Sequence, residues 1–214
     1  MSKTPKTKET ALQIKAPNLR SATFHIKGTA PYVQLRFSAK AMQAMADKMM
    51  AGAAAKKGKA REPRDFDEDF RQALHVSHDG WNGIPASAFR AAVVSACRLV
   101  GFKMTIAKLS VFVMHDGLDV VDDSPLIKIK GTPEPLRMHT RNATGVCDLR
   151  VRAKYNPWEA HIPMTFDGDQ FSLQDVCNLM HRVGAQVGIG EGRPDSKNSC
   201  GMGWGTFEVA GVKG

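Results

Sequence analysis

The stretch GAQVGIGEGRPDSKNSCGMGWGTFEV, residues 184–209, carries seven of the chain's 19 glycines just ahead of a strand-like ending. Glycine tolerates positive φ and lets backbone approach backbone, phosphate or ligand with no Cβ in the way. Which use applies depends on the order of elements around it. A phosphate-cradling P-loop needs GxxxxGK[ST] between a strand and a helix, and a dinucleotide fingerprint needs GxGxxG in the same place. Here a helix-like segment comes first and a strand-like one follows, with no Gly-Lys-Ser or Gly-Lys-Thr. Both kinds of nucleotide site are thereby excluded. Helix, glycine-rich turn and last strand is instead how a split β-α-β pattern closes.

SLQDVCNLMHRVGAQVG (172–188) predicts a helix, with Ser172 as N-cap and Leu173, Val176, Leu179, Met180 and Val183 on its apolar face. DLRVRAKYNPWEAHIPMTF (148–166) predicts two strands joined near Asn156-Pro157. IPASAFRAAVVSACRLVG (84–101) is the clearest helix of the N-terminal half. Pro85 sits near its first position, Phe89, Ala92, Val93, Ala96 and Val100 share a face, and Gly101 supplies the stop. ATFHIKGTA (22–30) alternates as a half-buried strand does, Phe24 and Ile26 on one face and His25 and Lys27 on the other. With insertions removed the order is β-α-β-β-α-β, an α+β, ferredoxin-like or RRM-like core. Its strands are expected at Thr23–Lys27, Leu109–Met114, Trp158–Phe166 and Thr206–Val209.

One domain is expected over 21–210, after a basic mobile arm at 1–20 and before a tail at 211–214, with insertions at about 38–80 and 115–147. The first, finger-like insertion holds AKAMQAMADKMM (39–50), a short helix whose methionines are spaced for packing. It continues through the Ala/Gly/Lys-rich AGAAAKKGKAREPR (51–64) to DFDEDFRQAL (65–74), a helix with acids in its first turn. Ahead of the first helix, PYVQLRFS (31–38) repeats the strand pattern. In the second insertion, GLDVVDD and PLIKIKG (117–131) form a projecting, thumb-like strand pair, and PLRMHTRNATGVC (135–147) is a polar connection.

Thirty Lys and Arg against 21 Asp and Glu give a formal charge of +9, the range in which a polyanionic partner leads. Cys97, Cys147, Cys177 and Cys200 form no CxxC pair, so a reduced, cytoplasmic chain without a zinc site is expected. No apolar run reaches membrane-spanning length, and the first residues carry no apolar signal region. The cations gather in places. Lys56, Lys57, Lys59, Arg61 and Arg64 form either a solvated loop or a nucleic-acid arm. Arg137, His139 and Arg141 lie in a loop with no core role, and Arg150, Arg152 and Lys154 alternate on one strand face, salt-bridged or offered to a strand of nucleic acid. The seven histidines are expected in structural or solvent-exposed roles, and the carboxylates Asp65, Asp67, Glu68 and Asp69 to begin a helix rather than hold a cation.

The segment GIPASAFRAAV opening the first core helix, together with GIGEGRPDSKNSCGMGWGTFEV (188–209) before the last strand, resembles the two hallmark motifs of the RAMP superfamily of CRISPR proteins. The extra hairpin resembles the thumb of the backbone subunits that coat crRNA, and the short chain a compact relative of them, such as one encoded by a phage or other mobile element. The resemblance implies a single-stranded RNA-binding protein without catalysis or cofactor, assembling side by side into a helical oligomer or joining CRISPR effector subunits. Gly188, Gly190 and Gly192 would admit the RNA backbone or a neighbouring protomer, Arg193 and Lys197 would meet phosphates, and Trp204 would stack on a base or fill the core. Two alternatives remain open. One is a RAMP-type endoribonuclease with His75 or His78 as general base. The other is a backbone-subunit mimic that blocks effector assembly. Single-stranded DNA offers the same phosphates and stackable bases as RNA.

Overall fold

The alternation in ATFHIKGTA is realised in β1 (Leu19–Gly28), where Ala22, Phe24 and Ile26 are buried while Thr23, His25 and Lys27 face the other way. The computed structural model describes residues 14–52, 63–141, 145, 147–196 and 201–214. One edge of β1 takes β10 (Phe207–Lys213), the other β9 (Glu159–Asp167), both antiparallel. The far edge of β9 is shared. β4 (Val111–Val113) pairs near Phe166, and β6 (Pro125–Lys130) pairs near Ala160. Two short strands, β3 (Gly83–Pro85) and β5 (Gly117–Leu118), extend the sheet along β6. A second antiparallel sheet runs β2 (Tyr32–Gln34), β8 (Cys147–Tyr155), β7 (Pro133–Arg141). With five α-helices beside these sheets, the described chain is α+β.

One face of the large sheet is covered by α3 (Ala86–Leu99) and α5 (Leu173–Arg182). Phe24, Ile26, Ile162, Met164 and Phe166 of the sheet share a core with Phe89, Val93 and Ala96 of α3 and Val176, Leu179 and Met180 of α5. Burying each such large side chain contributes roughly 1.5–3 kcal/mol relative to exposure. Local signals fix the helix ends. Gly101 (φ 70) ends the turn after α3, and Ser172 opens α5 with a capping box to Asp175. Phe207 seats the last strand edge-on to Phe89, 6.4 Å between centroids.

Several expectations shift. Leu109 and Ser110 end a helix, α4 (Met104–Ser110), so the strand there is only three residues long. The expected polar connection is the strand β7, paired with β8 over nine residues. Its prolines, Pro133 and Pro135, are tolerated because β7 is an edge strand. The long hairpin is therefore β7–β8, whereas the β5–β6 pair joins the main sheet. Tyr32, Val33 and Gln34 are all buried instead of alternating, with the Gln34 amide 3.0 Å from the Tyr32 hydroxyl inside the core. The methionines of α1 (Ala39–Ala51) do not pack inward: no residue of that helix is buried, and Met49 and Met50 are about four-fifths exposed (79% and 86%). Val100 and Leu173, expected on apolar faces, are also exposed at the helix ends. β10 runs through Lys213, where a tail was expected, since its pairing with β1 continues to Thr23.

Candidate nucleic-acid interface

After α5 the backbone makes a π-helical turn, Val183–Val187, and enters the glycine-rich loop with Gly188, Gly190 and Gly192 at φ of 68, 77 and 73°. A Cβ on Gly190 would stand 2.5 Å from the Val33 carbonyl oxygen and 2.6 Å from the Tyr32 ring. The Glu191 N–H donates to that same Val33 carbonyl (2.8 Å), and the Gly205 N–H to Pro31 (2.8 Å). A Cβ on Gly192 would meet the half-buried Trp204 ring at 2.7 Å. At these atoms the close approach that glycine permits is to the protein itself: the loop is folded down onto β2 and onto its own second half.

That packing builds a cleft of about 540 Å³ between the loop and α3. Pro85, Ala88, Ala92 and Ser95 line one side, and Gly188–Glu191 with Arg193 and Asp195 the other. The loop is tied to α3 through Asp195, which accepts from the Ser95 hydroxyl and from Arg98 (3.0 Å). The Ser95 hydrogen bond holds the Asp195 carboxyl below its ordinary value. Arg193 donates to the Gly190 carbonyl at 3.0 Å.

His75 and Arg152 also line the cleft. Expected on an outer strand face, Arg152 is 3% exposed and forms a two-pronged ion pair with Glu191, its Nη2 3.1 Å from Oε1. The cause is the loop, which folds over β8 and brings Glu191 onto the guanidinium. His75 Nδ1 is 2.8 Å from the carboxylate of Asp119, which is fully buried and also accepts from Arg36 (3.2 Å) and the Val121 N–H (2.9 Å). Burial pushes the His75 imidazole below its ordinary pKa; Asp119 opposes this, but Arg36 already offsets its charge. His78 is exposed and pairs with Asp123 at 2.7 Å, away from the cleft. Sequence reading missed Asp119, whose place in GLDVVDD distinguishes it from the exposed Asp122 and Asp123 only once β5 is folded in.

Arg64, Arg137 and Arg150 meet at the second sheet. Arg64 reaches across to β8, donating to Asp148 (2.9 Å) and the Leu149 carbonyl (2.6 Å). Arg150 pairs with the same Asp148 at 3.1 Å. On β7, Arg137 lies over the Phe66 ring at 5.1 Å, and His139 is exposed. Phe66 opens α2 (Phe66–Ala73), whose N-cap Asp65 accepts from the Asp67 and Glu68 N–H groups. Those bonds hold the Asp65 carboxyl below its ordinary value. Lys56, Lys57, Lys59, Arg61, Lys197 and the Arg141 side chain lie outside the described residues, as do residues 1–13 of the basic arm and Cys200. Among the described residues no three His, Cys, Asp or Glu side chains are grouped to hold a metal ion. No helix among them is long and apolar enough to cross a membrane.

No protein-family model matches the chain, and no curated protein matches it. Among solved structures it is similar to a chain in the cryo-EM structure of the Type III-B Cmr-beta bound to cognate target RNA. The identity is 11% and the TM-score 0.44, over 92% of this chain and 60% of that one. This chain thus spans three-fifths of that neighbour's length.

Proposed function

We propose that this chain is a compact RAMP-superfamily protein that binds single-stranded RNA, without cleaving it, along a path from the β7–β8 hairpin into the cleft beside the glycine-rich loop. The observation that carries the reading is a convergence. Two motifs about a hundred residues apart, IPASAFRAAV and the glycine-rich loop, form the two walls of one cleft. Arg64, from a basic stretch more than seventy residues earlier in the chain, joins Arg137 and Arg150 at the hairpin whose next arginine along β8, Arg152, reaches that cleft. Phosphates would be met by Arg137, Arg150, Arg193 and the cations of 56–61, and Arg152 acts by holding Glu191 and the loop in place. Strand order supports a ferredoxin-like core: β10-β1-β9-β4, with α3 and α5 on one face, is the order in which a β-α-β-β-α-β chain closes such a sheet. Exposed Met45, Met49 and Met50 on α1 offer apolar surface to a neighbouring protomer, which favours side-by-side coating of the RNA.

The test is electrophoretic mobility shift of a labelled single-stranded RNA against protein purified in high salt, with an Arg137→Ala/Arg150→Ala/Arg193→Ala variant beside it. Binding that weakens steeply with salt, and weakens further in the variant, supports the reading. No shift at low salt sinks it.

One observation favours a second reading, an endoribonuclease. His75 borders the cleft with Nδ1 held by the buried Asp119, leaving Nε2 as the nitrogen for proton transfer. Cleavage of RNA that disappears in His75→Ala would establish it in place of the non-catalytic reading.

A further inference from the structure

The face of the large sheet turned away from α3 and α5 carries a second cavity of about 360 Å³, lined by Trp81, Asp116, Lys128, Lys130 and His161. That volume falls at the small end of ligand pockets and suits a single nucleotide. Two of its walls are flat, and each is held from behind. Trp81 lies close against β5, where Gly117 leaves room for it: a Cβ there would stand 2.7 Å from Trp81 Cζ2. His161 stacks on His25, centroids 4.5 Å apart and planes 11° from parallel, and His25 is in turn fixed by Glu159 at 2.9 Å. With one face covered by His25, exposed His161 offers the other to the cavity.

The polar groups are equally ordered. Lys128 Nζ sits over the Trp81 ring, 5.8 Å from its centroid, a cation that a base stacking there would displace towards its own phosphate. Lys130 Nζ sits 3.0 Å from Glu159. One carboxylate oxygen of Asp116 accepts the Lys128 backbone N–H at 2.8 Å, which leaves the other for a ligand donor.

We propose that this cavity is a nucleotide-binding site, distinct from the cleft, that stacks one base on Trp81 and His161, meets its phosphate with Lys128 and Lys130, and reads an exocyclic amino group through Asp116. Adenine, cytosine and guanine carry such a group; uracil does not, and its one Watson–Crick donor, N3–H, lies between two carbonyl oxygens that a carboxylate repels. A base-stacking pair beside two ammonium groups fits a nucleotide better than an acidic peptide, which has no planar ring to fill the space between the walls.

The experiment titrates the whole protein with adenosine 5′-monophosphate and follows the Trp81 indole N–H by NMR, assigned by its absence in Trp81→Phe. The signal should shift and saturate, and His161→Ala should raise the half-saturation point about fivefold or more, the effect of losing one stacking partner. Uridine 5′-monophosphate should bind several-fold more weakly than the adenosine nucleotide, and Asp116→Asn, which restores a donor, should narrow that gap. An unmoved Trp81 signal at millimolar nucleotide overturns the proposal. So does inorganic phosphate shifting it as strongly as the nucleotide, since the base would then be unread. A circular dichroism spectrum unchanged in His161→Ala separates lost stacking from lost folding. RNA affinity is measured separately. Nucleotide binding without RNA binding sinks only the cleft reading, and RNA binding with a silent Trp81 sinks only this one.

Discussion

Replacing Gly190 with alanine tests whether the glycine-rich loop is a packed element or a loose connector. Two costs are readable from the structure. Gly190 has φ 77°, and an L side chain in the left-handed region costs roughly 1–2 kcal/mol. The new Cβ would stand 2.5 Å from the Val33 carbonyl oxygen, which belongs to a buried strand and can yield only by moving backbone. Such overpacking adds about 1–3 kcal/mol. The total, about 2–5 kcal/mol, corresponds to a fall in Tm of roughly 4–20 °C for a domain of this size. Gly203 is the internal control: φ is 73°, but nothing lies within 4 Å of its Cβ position. Gly203→Ala should therefore pay the backbone cost alone, roughly 1–2 kcal/mol. Gly211 has neither constraint, and Gly211→Ala should leave stability near that of the wild type. Urea unfolding followed by circular dichroism measures all three. Equal midpoints for Gly190→Ala and Gly203→Ala would refute the packed-loop reasoning.

Three further outcomes follow from the ion pairs and charges. Glu191→Gln strips the counter-charge from Arg152, whose side chain is only 4% exposed, and should cost about 3–5 kcal/mol. Arg152→Met leaves Glu191, 36% exposed, still in contact with water and should cost less; the reverse order in urea midpoints would contradict the assigned burial. Because burial holds His75 below its ordinary 6.5, the unfolded chain takes up the proton first as pH falls. The stability this group contributes is thus complete above about pH 6.5 and is lost as pH drops from there through the folded value, whereas Asp122, Asp148 and Asp195, all lowered, lose theirs only further into acid. Thermal melts between pH 5 and 7 should show the slope in the wild type and a flatter one in His75→Gln. Finally, replacing Lys56, Lys57, Lys59 and Arg61 with alanine should weaken RNA binding equally for all sequences and reduce the salt slope by about 0.7 per lost phosphate contact. A lowered Tm with unchanged affinity would assign that segment a structural role.

What the sequence determined by itself is the set of features written in local periodicity and caps. Phe24 and Ile26 alternate with His25 and Lys27 whatever they pack against, Ser172 caps its helix through its own neighbour Asp175, and Gly101 stops α3 by its own freedom at φ 70°. Tertiary structure decided the rest, because burial and pairing are made by residues far apart in the chain. PLRMHTR reads as a polar connection until β8 pairs alongside it over nine residues. Arg152 reads as an outward cation until Glu191, 39 residues away, folds over it. Asp119 reads as one acid among several until His75 and Arg36 close around it, 44 and 83 positions distant. For Arg152 and Asp119 the side chain is unchanged; what alters its chemistry is the removal of water by a segment the local sequence does not contain.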